Sequence, residues 1–337
     1  MPFSSLKKLA AIMAVMALTM VLAGPLAAAP KKVIRLAGQN PVDYPATQQL
    51  YKLKEAVEKA TNGAYEIKVF PANQLGDYTQ VYEEIMRGSI DMAQITVPSQ
   101  FDKRLELVFF PYLSESFDDL AVKFSQDGFL YKTLDSIHTE LDVKLLGFSV
   151  EGLAGIGSTK PAQNPADPKA AKGVLLRMAP IDAIKFGGMA LGFQTMSLPY
   201  AEVYTGLQTG IVDAYEVGPI MLAYMNYKDI TKHYYQYNNY VECSQWIMNK
   251  DTFDRLPAEV QKLLLDNIAV FQEESIRDTE KNEIEYAQKM KEAGIEVVTF
   301  SPDELKALAD HVRKEAWPKL KETVGAEIYD ALVKEYQ

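Results

Sequence analysis

Arg177 is the residue whose type and position most clearly suggest a binding site in this chain of 337 residues. It ends the apolar run Val174-Leu175-Leu176, which is typical of a buried strand. Its side chain is therefore expected at the carboxyl end of a strand, where α/β sheets form ligand crevices. A guanidinium group there can hold a carboxylate through two parallel, charge-assisted hydrogen bonds. The residues alone fit a surface ion pair equally well, so the carboxylate site is a hypothesis.

The patterns that would indicate catalysis or metal binding are all incomplete. The histidines lie far apart and have no acidic or cysteine partner at metal-ligand spacing: His138, His233 and His311. The segment Gly147-Phe148-Ser149-Val150-Glu151 falls one glycine short of a hydrolase nucleophile elbow, and the glycine-rich segment 155–160 lacks the ending of a phosphate loop. We therefore expect no cofactor, no metal and no enzymatic activity. An exported serine hydrolase that uses Ser149 and a remote base is the alternative of another class.

The N-terminus predicts export. Residues 1–29 contain Lys7 and Lys8, an apolar run over residues 9–24 and small residues up to Ala29, which is the pattern of a cleaved signal peptide. A membrane anchor is the alternative, but the apolar run is shorter than the roughly 20 residues that span a bilayer. The mature protein is therefore expected to be periplasmic and not embedded in the membrane.

Charge and cysteine content restrict the partners and the source of stability. The net charge of −10 becomes −12 when the two lysines of residues 1–29 are removed. Such an acidic exterior repels phosphate backbones, so nucleic acid is excluded as an expected partner. An anionic ligand would need a local positive group. The sole cysteine, Cys243, has no internal disulfide partner, so the exported fold must be stabilised by its core.

The order of predicted elements places Arg177 in an α/β fold. Strands at 33–38, 65–70 and 90–95 alternate with helices at 45–60 and 78–87, which indicates parallel strands with helical crossovers. A strand at 143–148 leads into a segment with three glycines, Gly152, Gly155 and Gly157, where the backbone is expected to bend or to approach another group closely. We interpret this segment as a crossover to a second sheet that begins near Gly173.

The C-terminal part is predicted to be mostly helical. A return strand at 240–248 precedes a long helix from about 257 to 293. Ser301-Pro302-Asp303-Glu304 is a capping box that begins a further helix, and Trp317-Pro318 is expected to break or kink it.

Several motifs that span nearly the whole mature chain together resemble one family, the DctP-type substrate-binding proteins of tripartite ATP-independent periplasmic (TRAP) transporters. The resemblance is strongest after Arg177, in Pro199-Tyr200-Ala201-Glu202-Val203-Tyr204 and Val212-Asp213-Ala214-Tyr215-Glu216. It extends to Phe70-Pro71-Ala72-Asn73-Gln74-Leu75-Gly76-Asp77 and Gly88-Ser89-Ile90-Asp91-Met92-Ala93.

The resemblance implies two α/β lobes around a hinged cleft, with a long helix beneath both. Lobe I would comprise residues 30–149 with about 247–280, and lobe II residues 150–246 with about 281–337. The resemblance implies that Arg177 grips a ligand carboxylate and that Tyr200 packs on the ligand. The other implied ligand positions are Gln39, Tyr78, Thr96, Tyr215 and Glu216. The implied cycle is that of a monomer that closes on its ligand and docks onto TRAP membrane subunits; the sensing subunit of a signalling receptor is a further alternative.

Two departures from the family pattern shape the ligand prediction. Relatives often carry asparagine where this chain has Val217, followed here by an inserted Gly218, and a frequent second basic residue falls near Ala154. A second buried carboxylate would therefore lack a partner, at a cost of several kcal/mol (roughly).

We accordingly expect a monocarboxylate with an apolar or aromatic body, such as an aromatic acid or amino acid. Its expected wall residues include Tyr78, Tyr200, Tyr215, Phe148 and Trp246, although core packing is the commoner role of such aromatic residues. Glu151 would meet a ligand amino group or act as a solvated hinge residue. The alternative within the same transporter class is a C4-dicarboxylate or a sugar acid.

Overall fold

The computed structural model describes residues 31–336, so the predicted signal peptide at 1–29 lies outside the described residues. The strands are β1 Lys32–Gly38, β2 Tyr65–Phe70, β3 Met92–Ile95, β4 Val143–Leu153, β5 Ile156–Ser158, β6 Leu175–Met178, β7 Gln194–Ser197, β8 Ala214–Glu216, β9 His233–Tyr235, β10 Val241–Asn249 and β11 Glu296–Val298. The α-helices are α1 Pro45–Ala60, α2 Tyr78–Met86, α3 Leu120–Lys123, α4 Phe129–Glu140, α5 Asp182–Ala190, α6 Val203–Thr209, α7 Ile220–Tyr227, α8 Lys250–Asp254, α9 Ala258–Glu292, α10 Pro302–Val324 and α11 Ala326–Tyr336. Short 3₁₀ helices cover Lys103–Phe109 and Tyr200–Glu202.

The first sheet has the strand order β2-β1-β3-β10-β4. β1 pairs in parallel with β2 and β3, as the alternation of strands and helices predicts. The crossover helix α1 begins with Pro45 and buries Leu50, Leu53 and Val57 against this sheet, because these residues recur at helical spacing on one face. β10 then pairs antiparallel with both β3 and β4.

The second sheet has the order β11-β9-β5-β8-β6-β7. β6 pairs in parallel with β7 and β8, and β5 pairs antiparallel with β8 and β9. The two sheets with helices packed around them confirm the predicted two-lobed α/β fold. We call the parts around the first and the second sheet lobe I and lobe II.

The chain passes between the two sheets on neighbouring paths. β4 leads into β5 through Ala154 and Gly155, and β9 returns to β10 through residues 236–240. The two passages are hydrogen-bonded to each other, since Ala154 N donates to Tyr240 O at 2.8 Å and Asn239 N donates to Ala154 O at 3.1 Å. The predicted lobe boundaries at 149/150 and 246/247 fall inside β4 and β10, and the division at those residues stays a prediction.

Helix α9 is a third link between the lobes. Its 35 residues pack against β4 and α1 in lobe I and against α7 and β11 in lobe II. At 1.5 Å per residue, its length is roughly 50 Å. The long helix predicted at 257–293 is therefore present.

Two glycines at the passage show why the segment is rich in this residue. Gly152 has a φ of +138°, a conformation that side chains with a Cβ rarely adopt. Gly157 lies under the ring of Tyr215, whose Cζ would be 2.2 Å from a Cβ at this position. The first glycine bends the chain, and the second allows an aromatic ring of the neighbouring strand to lie directly over the backbone.

Of the predicted break or kink at Trp317-Pro318, the break is wrong, because α10 continues through Pro318 to Val324, while the kink stays a prediction. Trp317 Nε1 donates to Pro111 O at 2.9 Å, and the Trp317 ring packs edge-on against Phe110. Burial of Leu320 and Val324 beyond the proline fixes the last turns. We infer that this packing outweighs the roughly 3 kcal/mol that a proline costs inside a helix. Within residues 31–336, no helix is both long enough and apolar enough to cross a bilayer.

Candidate ligand-binding cleft

A cleft with about 590 Å³ of empty space, its open mouth included, lies between the two lobes. Its lining comprises Gln39, Asn40, Asn73, Tyr78, Thr96, Phe109, Arg177, Ala179, Ile181, Ile184, Tyr200, Glu216, Val217, Leu222, Tyr240 and Glu242. Gln39 and Thr96 directly follow β1 and β3, while Arg177 and Glu216 lie at the carboxyl ends of the paired strands β6 and β8. The cleft is thus formed where parallel strands end, as expected for an α/β sheet.

Arg177 is a buried cation held in a fixed orientation. Its Nε donates to Leu198 O and its Nη1 to Glu216 O, each at 2.9 Å. Only 2% of the residue is exposed, and within residues 31–336 it forms no ion pair with an acidic side chain. Burial lowers the pKa of the Arg177 guanidinium below its ordinary value. Two of its five N–H groups are occupied by backbone carbonyls, so the remainder can bind an anion in the cleft.

Lobe I contributes a polar wall. The Gln39 amide and Thr96 hold each other, since Gln39 Nε2 donates to Thr96 Oγ1 at 2.8 Å and Thr96 N donates to Gln39 Oε1 at 2.7 Å. Tyr78 begins α2 next to this pair along the cleft. Tyr200 extends from the lobe II side, and its hydroxyl accepts a hydrogen bond from Asn226 Nδ2 at 3.2 Å. These four predicted site residues are brought together in one cleft.

Another part of the cleft lining, around Val217, is apolar. Val217 follows β8 and is buried, and it lines the cleft together with Phe109, Ile181 and Ile184. Val217 thus contributes apolar surface to the cleft. The cleft combines one cation, several hydroxyl and amide groups, and an apolar strip.

Glu216 lines the cleft but does not present an ionised carboxylate to it. Its backbone carbonyl accepts from Arg177, and Asn239 Nδ2 donates to its Oε1. Its Oε2 is buried without a hydrogen-bond partner among the described residues. Burial raises the pKa of Glu216 from its ordinary 4.5 to about 8. We infer that its main contribution to the site is the carbonyl that orients Arg177.

The pKa of Glu216 predicts a pH dependence of stability. The Glu216 carboxyl stays protonated in the folded protein, whereas the unfolded chain releases this proton above pH 4.5. The contribution of Glu216 to the free energy of unfolding is therefore full below about pH 4.5 and is lost as pH rises through 8. Between pH 5 and 8, we expect the free energy of unfolding of the ligand-free wild type to fall relative to Glu216→Gln by up to about 1.4 kcal/mol per pH unit. Urea unfolding at four pH values measures both slopes. Parallel slopes would contradict the assignment.

The structure places three predicted site residues outside the cleft lining, which corrects their expected roles. Tyr215 is buried in lobe II, where its hydroxyl bonds to Thr231 Oγ1 at 2.7 Å. Trp246 is buried beneath α9 and packs against Phe271. Glu151 accepts from Tyr44 OH at 2.7 Å and from Ser244 Oγ at 2.9 Å, and it lines a separate depression beside α9. The predicted wall residue Phe148 is likewise a core residue that packs against Phe124 and Tyr131.

Sequence reasoning missed Glu242 and Tyr240, which enter the cleft from the second passage between the lobes. Tyr240 OH donates to Glu242 Oε2 at 3.0 Å. An acidic residue at the start of the otherwise apolar or uncharged segment Val241-Glu242-Cys243-Ser244-Gln245-Trp246 is a signal that a buried strand rarely carries without a reason. Asn73, which lies in the motif at residues 70–77, also lines the cleft.

Among the described residues, Ser149 and His138 hydrogen-bond to core side chains and not to each other. Ser149 is buried, and its Oγ donates to Gln49 Oε1 at 3.2 Å. His138 is bonded on its two ring nitrogens to Tyr82 OH and Gln245 Oε1, and burial lowers its pKa to about 4. The described residues contain no group of three side chains arranged to hold a metal ion.

Comparison with known proteins places this geometry in a family. The sequence profile of the bacterial extracellular solute-binding proteins, family 7 (DctP), matches residues 36–323. The C4-dicarboxylate-binding periplasmic protein DctP of Vibrio cholerae is 28% identical over 285 residues, which cover 83% of each chain.

Two solved TRAP periplasmic solute-binding proteins share the fold. One from Desulfovibrio salexigens, with bound orotic acid, superposes with a TM-score of 0.81 at 23% identity and covers 91% of this chain and 99% of its own. One from Haemophilus influenzae, with bound L-gulonate, has a TM-score of 0.78 at 21% identity, with 90% and 100% covered. The chain therefore belongs to the bacterial extracellular solute-binding protein family 7 (DctP), as a solute-binding protein and not an enzyme.

Proposed function

We propose that this protein captures a sugar acid in the periplasm through the ligand carboxylate and delivers it to TRAP membrane subunits. The observation that carries the proposal is Arg177, a buried guanidinium that is held by two carbonyls and has no acidic partner within residues 31–336. A buried cation without a counter-ion is costly unless a ligand supplies the anion. The proposal includes export through cleavage of residues 1–29, since the relatives are periplasmic proteins.

Hydroxyl groups on the ligand would suit the rest of the lining. Gln39, Asn73, Tyr78 and Thr96 of lobe I and Tyr200 of lobe II supply amide and hydroxyl groups to the cleft. These groups have hydrogen-bonding capacity beyond the bonds that Gln39 and Thr96 form with each other, and a polyhydroxylated ligand can use it. The bound L-gulonate of the Haemophilus influenzae protein is a ligand of this kind.

This proposal replaces the aromatic body that the sequence favours. Trp246, Tyr215 and Phe148 are core residues, which removes most of the aromatic wall on which that prediction depended. A C4-dicarboxylate, the ligand class in the name of the Vibrio cholerae relative, is the second candidate. It would bring a second carboxylate to a cleft in which Arg177 is the only basic residue of the lining.

A thermal-shift screen tests the proposal. The panel contains D-gluconate, D-glucuronate, L-gulonate, succinate, malate, benzoate and indole-3-acetate, with native mass spectrometry of co-purified ligand alongside. We expect the sugar acids to raise the melting temperature most, with Kd values in the micromolar range or below, about −8 kcal/mol or better. Ser149→Ala is the control and should respond as the wild type does. A response confined to aromatic acids or to dicarboxylates would refute the sugar-acid assignment.

The same proposal assigns the mechanical roles. The lobes would close about the passages at Ala154 and residues 236–240, and the closed monomer would dock onto the membrane subunits. Tyr44 and Ala46 of lobe I already pack against Met221 and Leu222 of α7 in lobe II. This small apolar contact supports a closed arrangement of the two lobes.

A further inference from the structure

We propose that Glu242 selects a ligand that places a hydroxyl group beside it and excludes a second carboxylate at that position. The inference rests on the proposed function, because it requires that the ligand carboxylate occupies Arg177. Beyond the proposed function, it names Glu242 as the residue that determines specificity and a hydroxyl as the ligand group that Glu242 binds.

Glu242 has an oxygen available to a ligand. The residue is 8% exposed and lines the cleft. Its Oε2 accepts from Tyr240 OH, whereas no side chain or backbone group of residues 31–336 hydrogen-bonds to its Oε1. Because Glu242 lines the cleft, this oxygen is accessible for a hydrogen bond with a ligand atom.

The surroundings of Glu242 are acidic. Glu151 lies behind it on β4, which pairs with β10, and Glu216 is also close enough to influence it. Burial first, and then the Glu151 carboxyl, raise the pKa of Glu242 well above its ordinary value. Arg177 acts in the opposite direction on the pKa of Glu242, but it is the only basic residue that residues 31–336 contribute to the lining, and the proposed ligand carboxylate engages it.

A hydroxyl is the group that fits these conditions. It can donate to an ionised carboxylate and accept from a protonated carboxyl, so it suits Glu242 in either state. A second ligand carboxylate would be desolvated beside Glu242 without a second cation to pair it, and each of the three glutamates that ionises would repel it. Specificity of this kind comes from the repulsive element as much as from the attractive one.

Matched ligand pairs test the inference. Each pair differs only in whether one end is a hydroxyl or a carboxylate: D-gluconate and D-glucarate, L-galactonate and galactarate, 4-hydroxybutanoate and succinate. Calorimetry at pH 8 gives the ratio of Kd values within each pair. For the wild type we expect the hydroxyl member of the pairs that bind to be favoured at least about tenfold, and for Glu242→Gln we expect about threefold or less. Glu259→Gln removes an equal charge from the exposed first turn of α9 and should keep the wild-type ratio.

The outcomes separate the two proposals. A wild type that binds the dicarboxylate member as well as the hydroxyl member overturns the inference, as does a ratio that Glu242→Gln leaves unchanged. In either case Arg177-dependent binding would leave the proposed function standing. If no member of any pair binds, this inference fails, and if D-glucuronate and L-gulonate do not bind either, the sugar-acid proposal fails with it. The melting temperature of ligand-free Glu242→Gln verifies that the variant is folded.

Discussion

Replacing Arg177 by alanine is expected to raise the Kd for the best sugar acid of the wild type by roughly 150- to 5,000-fold. The range corresponds to the 3–5 kcal/mol lost when one partner of a buried ion pair is removed. The ligand carboxylate would then be buried against the carbonyl oxygens of Leu198 and Glu216, which have lost their donor. Isothermal calorimetry measures the change, and the ligand-induced rise in melting temperature should disappear with it.

Arg177→Lys is the matched control for charge. Lysine keeps the positive charge but lacks the planar fork, so it is unable to bond both carbonyls and the ligand in the same geometry. We expect binding between that of the wild type and that of Arg177→Ala. A sugar acid that binds Arg177→Ala as tightly as the wild type would remove Arg177 from the site.

Substituting Gly157 by alanine is expected to lower the free energy of unfolding by about 1–3 kcal/mol, the usual cost of overpacking a core. The new Cβ would lie 2.2 to 2.5 Å from three atoms of the Tyr215 side chain, namely Cζ, the hydroxyl oxygen and Cε1, and Tyr215 is only 1% exposed. Displacement of Tyr215 also moves the adjacent Glu216, whose carbonyl orients Arg177. Sugar-acid binding should therefore weaken together with stability. Urea unfolding and calorimetry measure the two effects.

A second substitution distinguishes this clash from a general effect of alanine in the strand. Tyr215→Leu removes the ring, so Gly157→Ala should cost less in a Tyr215→Leu background than in the wild type. Equal costs in the two backgrounds would show that the Tyr215 ring is not the group that requires glycine at position 157.

The order of strands and helices, and the end of the strand at which Arg177 lies, could be predicted because both follow from local patterns. Helix α1 has its apolar residues on one face and proline at its start, and α10 has a complete capping box. The alternation of strands and helices implies parallel pairing, and parallel pairing implies where the crevice lies.

The faces on which side chains lie could not be predicted where a strand is buried on both sides. All nine residues of β10 are buried, so the segment has no alternation that would separate Trp246 in the core from Glu242 in the cleft. The same holds for Glu151 and Phe148 in the buried part of β4. Their roles depend on which neighbour covers each face, and those neighbours are distant in sequence.

The position of β10 has a consequence for the order in which the chain folds. β10 lies inside the first sheet and is the only strand that joins β4 to the rest of it, yet it follows β4 in the chain only after five strands of the second sheet. An emerging N-terminal half therefore has no way to complete its own sheet, and contacts of such large sequence separation form slowly. The topology therefore delays completion of the first sheet until the C-terminal half of the chain is available.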